Sequence, residues 1–114
     1  MTGDSPDDDF LRELRAEYLA ESDGHLAALR ADLAELRNGA PGAAVTLRGR
    51  LHQLAGSGGS YGFPAISAIA REAEQWLVGA PPPGAIASRM EEAVARLEAE
   101  FEKAKRRYAV NGEQ

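Results

Sequence analysis

The sequence has no cysteine, which excludes a disulfide framework and a thiolate metal site and leaves packing alone to hold the chain together. No apolar run approaches the roughly 20 residues that a membrane-spanning helix needs. The N-terminus, MTGDSPDDDF, is acidic, and no basic start leads into an apolar stretch. A cytoplasmic location is therefore the expectation. An excess of positive charge is also missing. The 18 acidic and 13 basic residues give a formal charge of -5, which argues against an electrostatic grip on nucleic acid or anionic lipid and points to a protein partner. Apolar and polar residues never alternate long enough to suggest a sheet. The only histidines are His25 and His52, and with no carboxylates clustered at ligand spacing they make no metal site. No nucleophile, base and orienting acid can be assembled for a hydrolase.

What is present is a chain of 114 residues, 44% hydrophobic and 27% charged, enough for one small domain with a modest core. Three breaks punctuate it: NGAPG at 38 to 42, GFP at 62 to 64 and GAPPPG at 79 to 84. In the first of the four segments they leave, Ser5 can cap, Pro6 suits the first helical position, and Asp7, Asp8 and Asp9 complement the helix dipole. Leu11, Leu14, Tyr18, Ser22, Leu26, Leu29, Leu33 and Leu36 follow at three- and four-residue steps, the spacing of a buried helical stripe. Leu47, Leu51 and Leu54 mark the second segment. Ile66, Ile69, Ala73, Trp76 and Leu77 mark the third, and Ile86, Met90, Val94, Leu97, Phe101, Ala104 and Tyr108 the fourth. Short breaks make neighbouring helices antiparallel. The expected fold is all-α: an up-down antiparallel four-helix bundle over residues 5–110, with an additional short N-terminal helix if Gly24 or the N-terminal turn splits the first segment, and with frayed ends at 1–4 and 111–114.

The stretch from Leu47 to Pro64, LRGRLHQLAGSGGSYGFP, sets His52 beside glycines at 49, 56, 58 and 59. On a helix whose buried side carries Leu47, Leu51 and Leu54, His52 lies roughly 100° from Leu51, at the edge of the stripe and within reach of solvent. Its neighbours three, four, seven and eight residues away are Arg48, Gly49, Ala55, Gly56, Gly59 and Ser60. Four helix-interior glycines oppose folding by about 2 to 4 kcal/mol relative to alanine, out of a total stability of about 5 to 15 kcal/mol. Either they keep a face bare for an approaching protein, or they end the helix or let another helix pack closely. His25, beside Leu26 and Leu29, reads as a histidine flanking the core, and Trp76 as a core residue.

LHQLAGSGGSYGF, preceded by an amphipathic helix and followed by one ending AREAEQWL, resembles the histidine-containing phosphotransfer (HPt) domain. The pattern of that family runs His-x-Leu-Lys-Gly-Ser/Ala-small, then a hydrophobic residue and Gly; His52, Leu54, Gly56, Ser57, Gly58, Tyr61 and Gly62 fall in register. Outside 47 to 77 the similarity is architectural. The resemblance implies a phosphorelay intermediate without kinase activity. His52 would accept a phosphoryl group from the aspartyl phosphate of a response-regulator receiver or a hybrid histidine kinase, and pass it to another receiver. It implies no cofactor on this chain, with magnesium on the partner receiver. Ala55, Gly56, Gly59 and Ser60 would form the partner-facing surface. Where the family commonly has Lys, this chain has Ala55, and Arg48, one turn before His52, is the candidate substitute for holding the phosphate. The alternative is a helical docking or scaffold module, including an HPt-like domain that binds a receiver without transfer.

Overall fold

The computed structural model describes residues 6–79 and 81–112, and among them the chain is five helices and no strand. They are α1 (Pro6–Ala20), α2 (Ser22–Arg37), α3 (Ala43–Ser60), α4 (Pro64–Val78) and α5 (Pro83–Gly112). Helices α2 to α5 form the antiparallel bundle, and α1 leads into it. The expected additional helix is 15 residues long rather than short, and the first segment divides at Glu21 rather than at Gly24. The cause is Ser22: fully buried, its hydroxyl donates to the Leu19 carbonyl at 2.7 Å and competes with the helical backbone there. Gly24 continues α2 undisturbed. Ser5, the expected cap, and the expected frayed residues 1–4, 113 and 114 lie outside the described residues. Positions 111 and 112 are helical.

Antiparallel pairing of α2 with α5 is written in charges. Arg37 pairs with Glu91, Arg30 with Glu98 at 2.9 Å, and Asp23 with Lys105 at 2.9 Å. Each step of seven residues down α2 is a step of seven up α5. Exposed pairs of this kind contribute about 0.2 to 1 kcal/mol each, so they select register more than they stabilise. Leu11 of the expected stripe is 43% exposed and Leu14 half-buried, while Leu19, one residue off the stripe, is buried. The rest of the stripes meet in one core around Leu29, Leu47, Leu51, Ile66, Met90, Leu97 and Phe101. Trp76 is half-buried at its edge, its indole under the Arg89 guanidinium at 5.2 Å.

An aromatic cluster joins α1 to the bundle. The Tyr18 ring stacks on Tyr61 at 4.7 Å and on Phe63 at 5.7 Å, and meets Phe101 at a tilt at 6.1 Å. Tyr61 and Phe63 stand at the α3–α4 corner, closed by a helix-ending motif: the Phe63 N–H donates to the Gly58 carbonyl at 2.7 Å and the Gly62 N–H to the Gly59 carbonyl at 3.2 Å. Gly62 takes φ +88°, and a Cβ there would sit 2.8 Å from the Arg15 guanidinium, whose Nε donates to the Tyr61 carbonyl at 2.7 Å. Only glycine satisfies both demands. The corner is thereby fixed from outside by α1.

Burial pushes the Tyr18 phenol above its ordinary 10.0, against a smaller opposing effect of its hydrogen bond with Ser57. The unfolded chain therefore loses this proton before the native protein does. The contribution is intact below about pH 10 and is lost as pH rises through the raised native value. Thermal melts should show the wild-type melting temperature falling more steeply above pH 10 than that of Tyr18→Phe, which has no proton to lose; parallel curves would contradict the assignment.

Candidate functional site

The α3–α4 hairpin builds the site from the corner downward. Pro64 opens α4, and two to three residues further on the chain passes very close to α3. A Cβ on Gly58 would lie 3.1 Å from both Ile66 Cγ2 and the Ser67 backbone nitrogen. No larger residue permits this approach without moving the α4 backbone. The proximity lets the buried Ser67 hydroxyl donate to the Ala55 carbonyl at 2.6 Å across the seam. Seven residues, or two turns, beyond Ser67 stands Glu74, and its Oε2 meets His52 Nδ1 at 2.8 Å.

His52 is the exposed member of that pair, its side chain 74% accessible against 21% for Glu74. An ionised carboxylate only accepts, so Nδ1 carries the proton and donates it to Glu74. Nε2 is left out of that contact. The contact at Nδ1 ties the exposed ring to α4 and orients it.

The glycines divide between the two roles the sequence leaves open. Gly58 is buried in the helix contact. Gly59 is exposed, and a Cβ there would make ordinary contact with Ser67 Oγ at 3.4 Å. Gly56 and Gly49 are exposed, and a Cβ on either would meet nothing within 4 Å. Ser60 is exposed as well. Ala55, which the sequence places on the partner-facing surface, is a core residue at 4% exposure. It lies roughly 60° from His52 around the helix, on the side turned to α4, and the close approach at Gly58 closes α4 over it. Arg48 is exposed one turn before His52 and makes no ion pair among the described residues. Arg50 points away, paired with Asp32 of α2.

His25 is half-buried, its ring 5.9 Å from that of Tyr18, in a small cleft with Arg50, Gln53 and Ser57. The expectation of a core-flanking histidine fits this placement. Glu74 is the site residue that the apolar stripes do not reveal. A signal for it was there: His52 and Glu74 stand eleven residues either side of Phe63, so a tight antiparallel hairpin turning at GFP brings them opposite each other.

Fold and face together define a class: a helical bundle that displays one imidazole, held by a carboxylate, to whatever approaches from outside. The family model for the Hpt domain matches residues 13–107. The chain belongs to the Hpt domain family. Members are histidine phosphotransfer modules that carry phosphoryl groups, in general without kinase activity of their own, and interact with response-regulator receiver domains. Nothing matches the chain among the curated proteins or the solved structures. No helix among the described residues is long and apolar enough to cross a membrane.

The different surroundings of Gly56 and Gly58 make opposite expectations for one substitution. Gly56→Ala should raise stability by about 0.5 to 1 kcal/mol, the gain in helix propensity alone. Gly58→Ala should lower it by about 1 to 3 kcal/mol, because its new neighbour is pinned backbone. Paired thermal melts check this; equal shifts of the same sign would contradict the division.

Proposed function

We infer that the protein is a phosphorelay intermediate whose phosphoacceptor is His52. The observation that carries this reading is the outward-facing imidazole with Nδ1 bonded to Glu74. The Nε2 lone pair attacks the phosphorus of a receiver's aspartyl phosphate. The acyl P–O bond breaks, its electron pair leaves on the aspartate carboxylate, and an N–P bond forms. Nδ1 keeps its proton, and the positive ring is compensated by Glu74 at 2.8 Å. Transfer to a second receiver is the reverse sequence onto another aspartate. The magnesium and carboxylates that assist the in-line step belong to the receiver, and this chain binds no cofactor.

The partner is thus a response-regulator receiver or the receiver of a hybrid histidine kinase, meeting this protein in the cytoplasm. The approach is over Gly56, Gly59 and Ser60, where no large side chain stands beside the imidazole. Arg48, one turn away on the same face, offers a guanidinium to the phosphoryl oxygens. Neither nucleic acid nor membrane enters this reading.

Incubation with a phosphorylated receiver should yield an acid-labile, base-stable phosphoprotein. His52→Gln should abolish labelling with helicity unchanged, and His25→Ala should still be labelled. Glu74→Ala should slow acceptance by roughly tenfold to a hundredfold, because the ring loses its orientation and its fixed tautomer. Labelled His52→Gln would overturn the assignment; a wild-type protein that binds receivers but never becomes labelled would make it a docking module.

A further inference from the structure

Glu74 creates a difficulty for the reaction it assists. The carboxylate that orients His52 also stands beside the spot where a doubly charged phosphoryl group must arrive, and position 55, where the family pattern puts a cation, is buried alanine. We propose that Arg71 of α4 is the phosphate-holding cation of this site, binding the phosphoryl group on His52 Nε2 from across the α3–α4 seam. This rests on His52 being the acceptor.

The two cross-seam hydrogen bonds, Ser67 to Ala55 and His52 to Glu74, fix how α4 lies along α3. Arg71 comes four residues after Ser67 and three before Glu74, so it stands about 6 Å along the axis from the first and about 4.5 Å from the second. Ala70 and Ala73 turn to the core, at 0% and 5% exposure, and Glu72 turns to α5, where it accepts from Arg96 at 2.9 Å. Arg71 lies on the opposite flank, roughly 60° outward from Glu74, on the solvent side that α4 shares with His52. It is exposed and makes no ion pair among the described residues. Gly56, on the flank of His52 turned away from α4, adds no side chain beside the imidazole, and even a Cβ there would meet only open space. A guanidinium there offers two parallel N–H donors to phosphoryl oxygens. Together with Arg48 it turns the charge around His52 from a lone carboxylate into a net cation.

The test compares wild type, Arg71→Ala and Arg71→Lys. The donors are receiver domains charged with acetyl phosphate, and phosphoramidate, a donor too small to need a docking surface. The result expected for Arg71→Ala is at least a tenfold slower labelling of His52 by both donors, with an unchanged melting temperature and an unchanged imidazole 15N signature of the Nδ1–H tautomer. Arg71→Lys should recover most of the rate. Wild-type labelling with Arg71→Ala at the same rate would overturn the inference alone. So would a loss confined to the receiver donors, which would make Arg71 a docking residue, or a loss accompanied by an altered tautomer signature. Absence of label on the wild type from every donor would remove the proposed function itself, and this inference with it.

Discussion

The close approach of α3 and α4 at Gly58 governs the functional face. A helix pair separated by ordinary side chains would hold Ser67 away from the α3 backbone and Glu74 away from His52. With no Cβ at 58, the Ser67 backbone nitrogen comes near enough for its hydroxyl to reach the Ala55 carbonyl. Two turns further on, the same spacing lets a carboxylate bond an imidazole that remains three-quarters exposed. One missing methyl group therefore decides which nitrogen of His52 is engaged by α4.

That arrangement separates the two demands on a phosphoryl carrier. The acceptor must be accessible, and an accessible imidazole in water samples both tautomers and many orientations. Glu74 removes this freedom from one side and leaves the other side open. The fixed charge it introduces is the cost. In the proposed reaction the exposed Arg48 on α3 and Arg71 on α4 would offset that charge.

Helix α1 acts at a distance from this chemistry. Its Arg15 clamps the Tyr61 carbonyl, and its Tyr18 stacks on both aromatic residues of the α3–α4 corner. The corner sets the angle at which α4 leaves α3, so the N-terminal helix holds the hinge of the hairpin on which His52 sits. On the same helix Phe10 and Leu11 stand in solvent.

Much of this was legible in the residues themselves. Apolar positions at three- and four-residue steps mark the helices, and glycine and proline mark the breaks, because both signals arise from local backbone geometry. His52 is legible for the same reason: its distance in angle from Leu51 is a property of one helix. The division at Glu21 was not, because it depends on where the Ser22 hydroxyl finds an acceptor once it is buried. Nor were the burial of Ala55 or the contrast between Gly56 and Gly58, two residues apart on one helix and identical in chemistry. Those depend on which side α4 covers. The pairing of His52 with Glu74 required the hairpin to close tightly enough for two side chains 22 residues apart to touch. The sequence by itself determined which residues could be exposed, capped or turned; only the packing of α4 on α3 decided which of them meet, because a contact distance is a property of two helices and not of either one.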